Sequence, residues 1–155
     1  FESYSMIGRT YRYFRGKPLF PFGFGLSYTS FAYSQIKCAA KSGTSQSVTV
    51  TATVTNTGKK AGDEVAQLYI THPQDGNHII PICSLKGFKR VHLNPGESKT
   101  ISFELTPHDL SLTNDEGNWM VNAGEMTIFI GGGQPKYTEG VSCKLTLEGD
   151  AYQVL

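Results

Sequence analysis

The chain has 155 residues, 39% of them hydrophobic and 17% charged, with a formal net charge of +1. That length holds one domain, or one domain with a tail, and excludes two complete catalytic domains; the composition supports a packed core and excludes intrinsic disorder. Near-neutrality removes the field that would draw the chain onto nucleic acid or an anionic membrane, and no run approaches the ~18 apolar residues of a membrane span, so a soluble globular domain is expected without nucleic acid or membrane as partner.

The first 40 residues differ from the rest. They carry Arg9, Arg12, Arg15, Lys17 and Lys37 against the single acid Glu2, and 11 of the 18 aromatic residues fall between Phe1 and Tyr33. Rings this dense need a surface to pack on. The start at Phe1, with no charged stretch leading into an apolar one, reads as a fragment or processed product whose targeting information lay upstream.

From about residue 31 onward the pattern is all-β. Between Ser47 and Asn56, Val48, Val50, Ala52 and Val54 alternate with Thr49, Thr51, Thr53 and Thr55, which predicts a strand with one apolar and one hydroxyl face. Residues 56–60 have turn composition. From Asp63 to Thr71 the alternation resumes, with Ala66, Leu68 and Ile70 on one face and Val65, Gln67 and Tyr69 on the other. Residues 73–81, with two prolines and Asp75-Gly76-Asn77, read as a surface loop.

Cys83 to Leu93 predicts a strand kinked at Gly87. After the turn at Asn94-Pro95-Gly96, Ile101, Phe103 and Leu105 mark another, and Pro107 to Leu110 a short helical corner. Residues 114–118 form a turn into Trp119–Val121, and strands follow at Gly124–Gly131 and Ser142–Leu147. About seven strands and no amphipathic helix predict an immunoglobulin or fibronectin type III-like β-sandwich with an extended aromatic N-terminal segment; a small barrel is the alternative.

Little here carries chemistry. The acid pairs Asp63-Glu64 and Asp115-Glu116 sit at strand or turn edges, where neighbours point to opposite faces, so neither makes a glycosidase pair. His72, His78, His92 and His108 lack metal-ligand spacing and read as surface or loop residues. Cys38, Cys83 and Cys143, an odd count with no zinc or redox spacing, are expected to be buried thiols. Gly131-Gly132-Gly133 follows a strand and precedes Pro135, so it opens no phosphate-binding helix. Asp75-Gly76-Asn77 and residues 115–118 resemble calcium loops only in composition. Trp119 reads as a core or edge residue rather than a sugar platform. No catalytic, cofactor or metal site is expected.

From Gly8 to Phe31 the sequence resembles the C-terminal region of glycoside hydrolase family 3, above all in Pro-Phe-Gly-Phe-Gly-Leu-Ser-Tyr-Thr-Ser-Phe (residues 21–31). The resemblance continues through residues 54–58, 61–69, 85–91, 95–98 and 131–133. The variant at residues 8–12 is similar to the β-xylosidase and arabinofuranosidase branch. The resemblance implies a segment (residues 1–30) arriving from a catalytic domain, then a fibronectin type III-like sandwich (residues 31–155). It also implies a retaining glycosidase as parent, periplasmic or secreted. The family's catalytic motifs have no counterpart here, so the fragment is expected to be silent by itself. Tyr11, Arg12, Tyr13, Phe20, Phe22, Phe24 and Tyr28 are the expected contacts with the parent's catalytic domains, with self-association through the same rings as a further expectation. A polysaccharide-binding module and an adhesion or protein-interaction domain are the competing readings.

Overall fold

The computed structural model describes residues 5–73 and 79–155. Seven long strands, β1 (Phe31–Lys37), β3 (Val48–Asn56), β4 (Gly62–Thr71), β5 (Ser84–Leu93), β6 (Ser98–Leu105), β9 (Gly124–Gly131) and β10 (Gly140–Glu148), build two sheets. Short strands β2 (Lys41–Gly43), β7 (Leu112–Thr113), β8 (Trp119–Val121) and β11 (Tyr152–Gln153) complete the set, with single helical turns α1 (Thr10–Tyr13) and α2 (Pro107–Leu110). One sheet runs β1-β3-β6, the other β2-β10-β9-β4-β5, and a small third sheet runs β11-β8-β7. The two large sheets are separately bonded, which makes the fold a sandwich and not a barrel. Chain-order patterning anticipated six of the long strands. It missed β1, whose apolar positions Phe31, Tyr33 and Ile36 are only half-buried.

Period-two alternation becomes burial directly. On β3, Val48, Val50, Ala52 and Val54 are buried and face Ala66, Leu68 and Ile70 of β4 and Met126, Ile128 and Ile130 of β9 across the core. The threonines of β3 lie on its outer face. Gly96 adopts φ +75°, and the Glu97 N–H donates to Asn94 O at 2.9 Å, which closes the turn that Pro95-Gly96 dictates. Thr106 caps α2 reciprocally with Asp109, with Pro107 in the first turn.

Asn56, fully buried at the end of β3, joins the framework. Its Nδ2 donates to Lys60 O (2.8 Å) and Leu93 O (3.0 Å), and its Oδ1 accepts from the Gly58 N–H (3.0 Å) and the Thr29 hydroxyl (2.7 Å). One amide therefore ties the incoming segment to the β3–β4 turn and to the end of β5.

The cysteine expectation is corrected in two of three positions. Cys38 and Cys143 form a disulfide, 6.7 Å between Cα atoms, spanning a sequence separation of 105; only Cys83 is a buried thiol. The pairing arises because β1 comes to lie against β10, a juxtaposition created by the sandwich that spacing does not encode.

Replacing Asn56 by Ala leaves four buried or half-buried groups without their partner, and should cost about 2–3 kcal/mol in urea unfolding. Reducing the Cys38–Cys143 bridge, which closes a long loop, should cost about 2–4 kcal/mol by the same measurement. An unchanged midpoint in either experiment contradicts the role given to that group.

Candidate functional site

The aromatic N-terminal segment lies across the outer face of the five-stranded sheet, and β4 is where it is fastened. Ala66, Leu68 and Ile70 point inward, while Gln67 and Tyr69, on the opposite face, are also buried. What covers them is the segment itself. Tyr11 stacks on Phe22 with ring centroids 4.1 Å apart and 10° between planes, and meets Tyr69 edge-on at 6.3 Å. The Tyr69 hydroxyl donates to Gln67 Oε1 (2.6 Å), and Gln67 Nε2 donates to Gly132 O (3.2 Å). Burial raises the Tyr69 pKa, so the phenol stays protonated as a donor.

Further hydrogen bonds hold the segment in register. The Leu85 N–H donates to Tyr11 Oη (3.1 Å), the Ile82 N–H to Arg12 O (2.7 Å), the Gln134 N–H to Phe22 O (3.2 Å) and Tyr137 Oη to Gly16 O (3.0 Å). Close approach explains the glycines. Gly23 has φ +79°, and a Cβ there would stand 2.5 Å from Gln67 Oε1; one at Gly132 would stand 2.5 Å from Glu64 Oε1. The segment meets the stretch after β9 at Gly133, where a Cβ would stand 3.5 Å from Gly23 O, and at Gln134.

The seven expected contact residues separate into two sets. Tyr11, Arg12 and Tyr13 are half-buried on α1 against the sandwich, and Phe22 is fixed by its stack on Tyr11. Phe20 and Phe24 pack on one another, centroids 5.2 Å apart, yet stay largely exposed, as does Tyr28. Leu19 (89% exposed) and Leu26 (91%) extend this outward apolar surface, and neither was anticipated. Tyr11, Phe14, Pro18, Phe20, Phe22 and Tyr137 line a cavity of about 470 Å³ within it. Apolar residues in a segment without regular structure were the available signal for Leu19 and Leu26.

Asp63 pairs with Arg90 (Nη2, 2.5 Å) and His92 (Nδ1, 2.5 Å), which hold its carboxyl below the usual carboxylate range, His92 more than Arg90. Its neighbour Glu64 turns to the other face and accepts from the Tyr33 hydroxyl at 2.6 Å. Asn114 Oδ1 accepts from the Glu116 and Asn118 N–H groups, a turn without a metal cage. Among the described residues no cluster of three or more His, Cys, Asp or Glu has metal-binding geometry, and no helix is long and apolar enough to cross a membrane. Asp75-Gly76-Asn77 and His78 lie outside the described residues. Trp119, expected at the core or an edge, instead stands 43% exposed on β8, the middle strand of the small sheet, its ring 4.5 Å from that of His108.

One histidine expectation is corrected: His72 is buried, just past the end of β4 in a cavity shared with Ile80, Leu110, Met120 and Met126. Desolvation, with smaller contributions from the Lys86 and Arg12 charges, lowers its pKa from 6.5 to about 4.

A family model for the fibronectin type III-like domain matches residues 64–134. The chain therefore carries a domain of that family. It is 43% identical over 122 residues to a putative β-xylosidase of Formosa agariphila, covering 78% of this chain and 16% of that protein. It is 44% identical over 126 residues to thermostable β-glucosidase B of Acetivibrio thermocellus, covering 78% and 17%. The structure of β-glucosidase 3B from Thermotoga neapolitana superposes with a TM-score of 0.79 at 34% identity, over 93% of this chain and 19% of that one. The chain thus belongs with the fibronectin type III-like domains of glycoside hydrolase family 3, and spans about a sixth of the length of the curated relatives it matches.

A folded His72 pKa near 4 against 6.5 unfolded means that between these values the unfolded chain binds more protons. Stability should therefore fall as pH drops from about 6.5 to about 4, by on the order of 3 kcal/mol from this residue, and this contribution should be constant above that window. Urea unfolding across that range, compared with His72→Gln, checks it: parallel curves for the two proteins contradict the assignment.

Proposed function

We propose that this chain is a non-catalytic accessory domain of a family 3 glycoside hydrolase of β-xylosidase or β-glucosidase type, stabilising and orienting the catalytic domains that hydrolyse O-glycosidic bonds. Residues 1–30 are the connecting and docking segment, and residues 31–155 the sandwich. The observation that carries the reading is the two-sided use of the aromatic segment. One side is pinned to β4 through Tyr11 and Phe22, while Leu19, Phe20, Phe24, Leu26 and Tyr28 face outward on a fixed support. Rings held at the surface by a hydrogen-bonded backbone keep a prearranged shape, so docking orders little more chain and each ring buried contributes about 1.5–3 kcal/mol before association costs. The names of the relatives supply the kind of parent, and the small share of their length that this chain spans leaves ample sequence for the body that covers the rings.

The purified chain should hydrolyse none of nitrophenyl β-xyloside, β-glucoside or α-arabinofuranoside; turnover by the chain alone overturns the accessory role. In the intact parent, the triple substitution Phe20→Ala, Leu26→Ala, Tyr28→Ala should lower the unfolding temperature. In this chain alone the same exposed substitutions should each change stability by no more than about 0.5 kcal/mol. A parent indifferent to all three refutes docking through this face.

A further inference from the structure

The structure also holds a cleft of about 650 Å³ whose walls include Arg12, Ser84, Lys86, Asp115, Trp119 and Asn122; Asp115 is engaged elsewhere. Two of its polar atoms, Arg12 Nε and Ser84 Oγ, are buried without a hydrogen-bond partner, and the Ser84 residue is only 4% exposed. Native proteins satisfy the great majority of such groups, because each unsatisfied one forfeits its hydration.

The third group is brought there by an irregularity in the ladder. Leu68 of β4 pairs with Gly87 of β5, but Tyr69 pairs with Leu85, so Lys86 is an extra residue on β5. Such a bulge leaves one residue out of the pairing and re-aims its side chain. Gly87 beside it accepts the Phe103 ring, where a Cβ would stand 3.0 Å away, so the bulge is held from the core side as well.

Among the described residues neither Arg12 nor Lys86 has an ion-pair partner; Arg12 lies 5.8 Å from the Tyr13 ring, and Asp109 acts on Lys86 through its field alone. Both cations are half-buried. Arginine and lysine are donors only, and the serine hydroxyl has a donor free. Three donors on one wall suit an anionic acceptor able to take several hydrogen bonds at once, the geometry of a carboxylate against a guanidinium fork. Arg12 and Tyr13, on the same helical turn as Tyr11, both line this cleft, so the segment that carries the rings also forms one of its walls.

We propose that the cleft is a second, polar docking site, in which Arg12, Lys86 and Ser84 receive a carboxylate side chain from the catalytic portion of the same parent protein. The inference rests on the docking reading above, and adds a charged key that sets the register of an otherwise apolar contact.

Lysine labelling tests it in the intact parent and in this chain. Burial lowers the pKa of Lys86 below the ordinary lysine value, which favours the reactive free amine. Lys60, whose Nζ lies 5.8 Å from the Tyr28 ring, reports on the aromatic face, and the exposed Lys41 and Lys144 serve as references. With an amine-reactive acetylating reagent and mass spectrometry, Lys86 should be labelled roughly tenfold less in the parent than in the chain, at low salt. That protection should be lost at high salt and in Arg12→Gln, while Lys60 stays protected.

Lys60 protected with Lys86 fully reactive overturns the cleft and leaves the docking reading intact. Protection of Lys86 indifferent to salt and to Arg12→Gln overturns the carboxylate. Neither lysine protected overturns both readings together. Should Arg12→Gln fail to fold, Ser84→Ala and the salt series decide by the same readout.

Discussion

From Ala66 to Ile70 strand β4 is buried on both faces, and the rest of the molecule is arranged around that constraint. Its inner face joins the apolar core, which any sandwich provides. Its outer face carries Gln67 and Tyr69, two groups that require hydrogen bonds once covered. The aromatic segment supplies the cover, and the glycines at 23 and 132 let its backbone and the neighbouring loop come close enough to do so. The segment is therefore part of the folded unit, and its outward rings stand on a rigid floor.

This explains why the domain has chemically particular features away from its apolar core. Stacking of Tyr11 on Phe22, the acceptor role of Tyr11 Oη and the Gln134 N–H bond to Phe22 O all fix one short stretch of chain. On its other side that stretch presents Leu19, Phe20, Phe24, Leu26 and Tyr28 to the surface. The same segment brings Arg12 to the bulge at Lys86, so the apolar and charged parts of the surface share one support.

Much of the fold was legible because alternation on β3, β4, β6 and β9 follows burial residue by residue, and because Pro95-Gly96 and the Thr106–Asp109 box encode local geometry. What escaped was everything set by approach in space. β1 is half-buried and so carries a weak pattern; Cys38 meets Cys143 only after β1 settles on β10; His72 is buried only because other segments close over it. Asn56 reads as an ordinary turn residue, although its amide holds three separate parts of the chain.

By itself, then, the sequence determined the sandwich, its core faces, its turns and the resemblance to one family, since these depend on periodicity and on the conformational limits of proline and glycine. The tertiary structure alone decided which aromatic residues face inward and which outward, which cysteines pair, and which cations line the cleft beside Ser84. Those outcomes depend on distances between residues far apart in the chain, and a periodic pattern holds no information about such distances.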